Sequence, residues 1–469
     1  MMGKNLIFAC ILLFSSHFLN AQKFWDHGRL IISSNGHYLQ FQDGTAFFWL
    51  GDTGWELFHR LKLEEINSYF ENRSKKGFNV IQAVVLAEMD GLTRPNQYGD
   101  VPFIGLDPLK PNERYFHFVD SVIILAATKN LYIGLLPSWG DKVTKLWGAG
   151  PVVFNEDNAY KYGSWLGNRY KNSPNIIWIL GGDRPAKKDS LDWTPIWRAM
   201  ARGILDATEQ HALITYHPWG GNNSTSQYIH NETWLNINMM QSGHGSGHDV
   251  PVWEWVERDR NLKPTKPCLD AEPNYEDHPV NPWPNWNPAN GYFREYDVRK
   301  QTYRSVFAGA CGVTYGHHSV WQFWSPREEI INHADRYWTD AIDRPGAFQV
   351  GFLRKLMESR PQLTRVPDQT IIVNGQGTHG EYISACRDSI GSYLMIYLPV
   401  GKSIKINTHV LHSDSVSANW FNPRDAMNYH AGTLKRENLM NFTPPISGLN
   451  FDWVLILDDP SFKYKVPAN

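Results

Sequence analysis

Short apolar runs, most of them rich in β-branched or aromatic residues, recur along the first three quarters of the chain. Several of these runs are apolar at successive positions rather than at alternate ones, which is typical of strands that are covered on both faces. We therefore predict eight buried strands, at residues 47–52, 79–86, 131–139, 175–183, 213–218, 237–243, 267–273 and 312–321.

Between many of these runs the apolar residues change to helical spacing. In residues 63–76, for example, Ile66, Tyr69 and Phe70 share one helical face. The same spacing predicts helices at residues 114–129, 159–171, 195–208 and 296–310, and a final helix at 347–358. Alternation of strand and helix around eight strands predicts an α/β fold of the (β/α)8 TIM barrel type.

The segments on either side of the barrel carry different patterns. Before the first strand, Asn35-Gly36 separates two apolar segments, which predicts a hairpin that covers the floor of the barrel. From residue 363 onward short apolar runs alternate with turn residues, so we expect a small C-terminal antiparallel β-sandwich. The predicted boundaries are 22–362 for the barrel with its hairpin and 363–469 for the sandwich.

The N-terminus has the features of a secretory signal peptide at residues 1–21. Lys4 precedes a short apolar stretch, and Leu19-Asn20-Ala21 offers a cleavage site. No apolar stretch is long enough to span a bilayer, so we expect no stable membrane insertion. The mature protein is expected in the periplasm or outside the cell. A lipid anchor at Cys10 is disfavoured, because it would shorten the apolar stretch.

Composition narrows the choice of ligand. Aromatic residues make up 14% of the chain, with 20 Trp among them. These rings either fill the core or pack against the apolar faces of sugars. The formal net charge is −2 and no basic run occurs, which argues against a nucleic-acid partner.

The carboxyl ends of the predicted strands carry carboxylates, imidazoles, amides and indoles, where a barrel places its active site. Asp183 ends the fourth strand and Glu272 the seventh, so these side chains would face each other across the barrel. Cleavage of a glycosidic bond needs such a pair. Taken alone, Asp183 fits a helix cap and Glu272 an ion pair; together they favour catalysis. Two glycines before Asp183 are expected to leave room for substrate, and strand alternation predicts that Arg184 points away from it.

Other strand ends supply candidate contacts to sugar hydroxyls and ring faces. We predict substrate contacts from Asp52, Trp139, His217, Trp219, Gln241, His244, His318 and Trp321, each with a structural role as the alternative. Asp270 is expected to be a buried, hydrogen-bonded structural residue. The run HGSGHD at 244–249 raises the question of a metal, but we predict neither a metal nor a cofactor, because glycosidic cleavage by two carboxyls needs none.

Four stretches of the barrel resemble the apiosidase-like family, glycoside hydrolase family 140: FFWLGDTGWELF, IIWILGGDRP, MMQSGHG and LDAEPNYE. In the tail, ANWFNPRDA is similar to the family's C-terminal sandwich, which is often labelled a collagen-binding domain. The resemblance covers residues 23–459. It implies a retaining glycoside hydrolase with Asp183 as acid/base and Glu272 as nucleophile. It also implies a plant cell-wall substrate, namely apiose linkages in the pectin rhamnogalacturonan II.

Other functions remain open at this level. The same catalytic groups would serve an arabinofuranosidase or a β-glycanase, and a non-catalytic carbohydrate-binding protein could retain the barrel. An Asp after Gly-Gly stands where the wider clan usually has a Glu after Asn, so the acid has a shorter reach. Pectin is acidic, and Arg94, Lys142 and Arg184 are the candidate cations for its carboxylates. The sandwich is expected to brace the barrel rather than to bind a ligand.

Overall fold

The structure, a computed structural model, describes residues 23–221, 223–280, 286–465 and 467. The predicted signal peptide lies outside the described residues. Eight parallel strands form the barrel, and they correspond to the eight apolar runs. Their bounds are Trp49–Thr53, Val80–Val84, Tyr132–Leu136, Ile176–Gly181, Ile214–His217, Asn238–Gln241, Cys268–Asp270 and Gly312–Tyr315.

The barrel sheet begins at the fifth strand, runs back to the first, and continues through the eighth and seventh to the sixth. The fifth and sixth strands meet where Asn236 N donates to Ile214 O at 2.8 Å. Thr215 Oγ1 donates to Ile237 O, also at 2.8 Å. The sheet therefore curls back on itself, and a short strand, Asn223–Ser224, pairs antiparallel with the sixth.

Helices separate the barrel strands, and a final helix follows the barrel. The bounds are Leu57–Arg60, Leu63–Lys75, Glu113–Thr128, Glu156–Tyr170, Thr194–Ala207, Ser226–Ile229, Val252–Arg260, Glu295–Phe307, His318–Trp321, Trp338–Ala341 and Pro345–Glu358. The eighth strand is shorter than predicted. His317 accepts a hydrogen bond from Ser319 N and caps a helical turn, so the apolar residues up to Trp321 leave the sheet. Among the described helices, none is both long and apolar enough to cross a membrane.

The predicted hairpin is present below the barrel. Strands Leu30–Ile32 and Leu39–Phe41 pair antiparallel, and a third short strand, Ala46–Phe47, joins them. Their apolar side chains pack against residues at the amino ends of barrel strands, such as Trp49 and Tyr132. The hairpin therefore closes the floor and leaves the carboxyl ends of the strands open.

The C-terminal region is a sandwich of two antiparallel sheets. One sheet has six strands, in the order Arg365–Pro367, Ser384–Asp388, Tyr393–Leu398, Trp453–Asp458, Ser415–Phe421 and Asn428–Lys435. The other contains Ile372–Asn374, Ile404–Asn407 and Leu439–Phe442. Ile396 and Leu455 from the first sheet share an apolar core with Ile406 and Phe442 from the second.

The outer face of the six-stranded sheet packs on the barrel. Met395, Tyr397 and Ile456 lie in one apolar cluster with residues of the helices Glu295–Phe307 and Pro345–Glu358. Two bidentate ion pairs cross this junction. Arg299 binds Asp452 at 2.9 and 3.0 Å, and Arg360 binds Asp458 at 2.8 and 2.6 Å.

Candidate active site

A cavity of about 750 Å³ opens at the carboxyl ends of the barrel strands. Much of its wall is aromatic, formed by Trp55, Trp139, Trp147, Trp219, Tyr275, Trp286 and Trp321. Three carboxyl groups also line it: Glu88, Asp183 and Glu272. The cavity collects many of the predicted site residues, namely Asp183, Glu272, Trp139, Trp219, Gln241, His244 and Trp321. Indole faces combined with a few acids and amides suit a sugar.

A tight turn carries Asp183 from the fourth strand to the cavity. Gly181 and Gly182 have φ of +82° and +112°, and Asp183 itself has +50°. A Cβ on Gly182 would lie 2.7 Å from Cε3 of Trp139, and one on Gly181 would lie 2.4 Å from His217 O. The expectation that these glycines leave room for substrate is therefore wrong. They let the backbone turn against Trp139 and the fifth strand.

Arg184 points toward the acid, not away from it as strand alternation predicts. Its Nη1 donates to Asp183 Oδ2 at 3.0 Å, and its Nη2 donates to Glu88 Oε1 at 2.9 Å. The physical reason is the left-handed backbone at Asp183, which ends the alternation of the strand. Burial raises the pKa of Asp183 to about 7; Arg184 opposes this shift, while the charges of Glu88 and Glu272 add to it. A raised pKa is what a general acid requires.

Three side chains hold Glu272, which lies two residues beyond the seventh strand. Gln241 Nε2 donates to Oε1 at 2.8 Å, and His244 Nε2 lies 3.2 Å from the same oxygen. His217 Nε2 lies 3.1 Å from Oε2. Burial by itself would raise the pKa of Glu272, but the two imidazoles lower it to about 2. The cavity thus presents one carboxyl whose proton is retained to near neutral pH and one that stays ionised.

His217 does not line the cavity. It is fully buried, and its ring packs against the indoles of Trp55 and Trp139 at centroid distances of 5.2 and 6.0 Å. Direct contact with a sugar hydroxyl, as predicted, is excluded by this burial. His217 is connected to the cavity through its contact with Glu272.

Asp52 also lies away from the cavity, which contradicts its predicted contact with sugar. Its side chain is fully buried behind the first strand, where Oδ2 accepts from Tyr69 Oη at 2.6 Å and from Arg73 Nε. The register explains this, because Gly51 faces Trp49 and Thr314 inside the barrel and the next residue therefore points outward.

His318 is buried as well and supports the cavity wall from behind. Its Nε2 lies 2.9 Å from Asn332 O, and its Nδ1 accepts from Trp321 Nε1 at 3.3 Å. The predicted direct contact with substrate is wrong for this residue too. Asn332 and Trp321 themselves line the cavity, so His318 acts on its shape.

Several lining residues were not predicted. Trp55 lies shortly after the first strand and Tyr275 shortly after the seventh, so both could have been predicted by considering a few more residues beyond each strand end. Trp147 and Lys188 lie in loops without apolar periodicity, and only the folded chain brings them to the cavity. Trp147 Nε1 lies 3.5 Å from Asp183 Oδ2, so this missed residue is a direct neighbour of the acid.

Asp270 has the buried, hydrogen-bonded environment that was predicted, since Ser242 Oγ donates to its Oδ2 at 2.6 Å. The HGSGHD run is distributed over ordinary ion pairs. His248 Nδ1 lies 2.8 Å from Asp297 Oδ1, and Lys300 Nζ donates to Asp249 Oδ1 at 2.6 Å. Within the described residues, no group of three or more His, Cys, Asp or Glu side chains is arranged to hold a metal ion.

Sequence families match both parts of the chain. Residues 33–364 match the apiosidase-like catalytic domain. Residues 366–458 match a family named for a collagen-binding domain of a collagenase. No curated protein matches the chain.

Two solved structures that resemble the chain are also described as glycoside hydrolases. A glycoside hydrolase family 5 protein from Bacteroides vulgatus is 32% identical, with 96% of this chain and 97% of that chain covered and a TM-score of 0.87. A second structure, described as a glycoside hydrolase, is 34% identical over 93% of this chain and 98% of that chain, with a TM-score of 0.85. The family match, these likenesses and the paired carboxyls agree. The chain belongs to the apiosidase-like family of glycoside hydrolases.

Proposed function

We propose that this glycoside hydrolase is a retaining apiosidase that acts on apiose linkages in rhamnogalacturonan II. One observation supports the mechanism most directly. Asp183 and Glu272 line the same cavity, and their surroundings shift their pKa values in opposite directions, to about 7 and about 2. Divergent pKa values are typical of a carboxyl pair that divides acid and nucleophile roles, which supports this proposal.

In the first step the Glu272 carboxylate forms a bond to the anomeric carbon while the glycosidic C–O bond breaks. The electron pair of that bond goes to the leaving oxygen, which takes the proton of Asp183. In the second step water attacks the anomeric carbon and gives a proton to Asp183, and the bond to Glu272 breaks with its electrons returning to the carboxylate. Both side chains regain their starting states.

The leaving sugar belongs on the Asp183 side of the cavity, because Asp183 protonates the leaving oxygen. Trp147 stands there with 47% of its surface exposed, and its ring lies 5.8 Å from that of Trp219. Lys188 Nζ lies 5.8 Å from the Trp147 ring centroid. Indoles with a nearby ammonium group favour an acidic sugar as the leaving group, which agrees with a pectin substrate.

The cations considered from the sequence are engaged elsewhere. Lys142 is buried and donates to Asp141 at 2.7 Å, and Arg94 binds Glu328 at 2.6 Å. Arg184 is shared between Asp183 and Glu88. Lys188 therefore replaces them as the proposed carboxylate contact. Export by a signal peptide at residues 1–21 remains part of the proposal and would bring the enzyme to extracellular polysaccharide.

The decisive experiment is incubation with rhamnogalacturonan II oligosaccharides, with products identified by mass and the first-formed anomer read by NMR. Release of an apiose-terminated product with its configuration retained supports the proposal. Cleavage of arabinofuranosides or β-glycans instead would replace apiose as the sugar. Glu272→Gln should lose nearly all turnover and still bind substrate in a titration by calorimetry.

Lys188 provides a separate test of the acidic leaving group. Lys188→Gln should lower kcat/KM about 10-fold for a substrate with a free carboxylate and leave its methyl ester unaffected, since only the former has a charge to bind. Lys187→Gln is the matched control, because Lys187 pairs with Asp192 at 3.2 Å and does not line the cavity. Equal losses on both substrates would contradict the assignment.

A further inference from the structure

Glu88 is a third carboxyl group in the cavity, and it shares one guanidinium with the proposed acid. Arg184 Nη2 donates to Glu88 Oε1 at 2.9 Å, and Nη1 donates to Asp183 Oδ2 at 3.0 Å. The two carboxyl side chains are about equally accessible, at 26% and 27%, whereas the Arg184 side chain is fully buried. One buried cation thus bridges two carboxyls that both face the substrate space.

This bridge raises a chemical problem for an acid at position 183. A guanidinium within hydrogen-bond distance stabilises the carboxylate and lowers its pKa, and Arg184 has this effect on Asp183. If the charge of Arg184 were not neutralised by another group, it would lower the pKa of Asp183 and favour the deprotonated form. Glu88 supplies the balancing negative charge at the other end of the same guanidinium.

Several of the other charged groups near this trio are engaged with other partners, whereas Lys188, 5.8 Å from the centroid of the Trp147 ring, lines the cavity. Lys142 Nζ reaches Glu88 O at 3.4 Å but is paired with Asp141, and Glu56 lies 3.9 Å from Arg60. Glu272, whose charge also acts on Asp183, is held by His217 and His244. Arg184 and Glu88 thus form the hydrogen-bonded charge pair beside Asp183, while the charge of Glu272 adds to the raised pKa of Asp183 and His217 opposes it.

We propose that Glu88 is a positioning residue that neutralises Arg184 and thereby keeps Asp183 protonated for the first step. The proposal rests on the proposed role of Asp183 as acid/base. Burial raises the pKa of both Glu88 and Asp183, and Arg184 opposes the rise in each of them. When Asp183 gives up its proton, Arg184 is already in contact with the carboxylate that forms. The same bridge therefore serves both protonation states of the acid.

The test is the pH profile of kcat/KM for Glu88→Gln, which keeps the size and the hydrogen-bonding oxygen of the side chain but removes its charge. Loss of Glu88 should lower the pKa of Asp183, so the alkaline limb should move to lower pH by about one unit or more. Activity at pH 5 should stay within about three-fold of the wild type, since Asp183 is protonated there in both proteins. An unmoved alkaline limb would overturn the proposal.

Leaving-group dependence separates this effect from general damage to the site. The nitrophenolate of a 4-nitrophenyl apioside can leave with little protonation of its oxygen. An apioside whose leaving group is the hydroxyl of another sugar needs that oxygen to be protonated as the bond breaks. At pH 7.5, Glu88→Gln should lose at least about 10-fold more activity on the second substrate than on the first. Equal losses on both substrates at every pH would show a merely structural role and would also overturn the proposal.

Two further variants complete the test. Glu88→Asp retains the charge and should restore the alkaline limb. Glu65→Gln is the matched control, because Glu65 pairs with Arg327 at 2.8 Å at a comparable exposure of 28% outside the cavity. Failure of the proposed function would be seen separately, as full activity of Asp183→Asn. Failure of the present inference would leave Asp183→Asn inactive and the Glu88→Gln profile unchanged.

Discussion

Glu272 keeps its charge in a buried position because protein groups replace water around both of its oxygens. Gln241 and His244 contact Oε1, and His217 contacts Oε2. A second layer fixes one of these imidazoles, since the His278 ring stacks on His244 at 4.4 Å with an interplanar angle of 7°. The orientation of the carboxylate is thus set by side chains from the fifth, sixth and seventh strand ends together.

Replacing His244 should expose the effect of burial on Glu272. In His244→Ala the pKa of Glu272 should rise from about 2, because an imidazole that lowers it is gone while burial, which raises it, remains. Glu272 must be ionised to attack, so the acid limb of the kcat/KM profile should move to higher pH, by about one unit. The control His333→Ala changes an exposed histidine outside the cavity. An acid limb that stays in place in His244→Ala would contradict this account.

At the scale of elements, the sequence predicts where the strands lie, but it does not predict side-chain directions that depend on the local backbone conformation. Apolar runs located all eight barrel strands, and from them the prediction placed Asp183 and Glu272 together at the carboxyl ends of the strands. Alternation failed at Arg184, where a left-handed residue intervenes. Asp52 follows the alternation, because Gly51 faces the inside of the barrel, but the apolar run alone did not show which of the two residues points inward. Apolar runs do not locate the strand Asn428–Lys435, because its side chains are largely exposed and show no apolar alternation.

The pairing of Asp52 with Arg73 joins the first strand to the helix Leu63–Lys75, and its loss should affect stability rather than catalysis. In Asp52→Asn the fully buried Arg73 loses its counter-charge, which should cost about 3–5 kcal/mol in the free energy of unfolding. The kcat/KM of the folded protein should change less than about three-fold. Urea denaturation and kinetics at low temperature measure both.

The comparison for this variant is Asp343→Asn. Asp343 pairs with Lys76 at the end of the same helix, but its side chain is 65% exposed. Screening by water should limit the loss there to about 1 kcal/mol or less. A large fall in kcat/KM for Asp52→Asn with unchanged stability would restore the idea that Asp52 contacts the sugar.

At the scale of the whole molecule, the sandwich is joined to the barrel by a buried and partly ionic surface. Asp452 accepts from Arg299 and Arg424, and Tyr397 Oη donates to it at 3.1 Å. Arg304, from the same barrel helix as Arg299, donates to His379 O of the sandwich at 2.8 Å. Contacts of this kind favour a role for the sandwich in bracing the barrel. We therefore expect the sandwich and the barrel to unfold together.

Asp452→Ala should therefore destabilise both parts at once. It leaves the buried Arg299 without a carboxylate, so we expect a loss of about 3–5 kcal/mol and a single shifted transition in calorimetry. Glu358→Gln, which breaks an exposed pair with Arg354 on the helix Pro345–Glu358, should cost less than about 1 kcal/mol. Two separate transitions in Asp452→Ala would show that the sandwich and the barrel unfold independently.

Trp147 stands between the acid and the solvent. Its indole nitrogen lies 3.5 Å from the Asp183 carboxyl, and the Arg184 guanidinium lies 4.6 Å above its ring. Indole fluorescence responds to nearby charges, so we expect the emission of Trp147 to change when Asp183 gains or loses its proton. The difference in emission between the wild type and Trp147→Phe, followed across pH, should therefore serve as an optical titration of Asp183, the proposed acid, in the empty protein, before any glycosidic bond is broken.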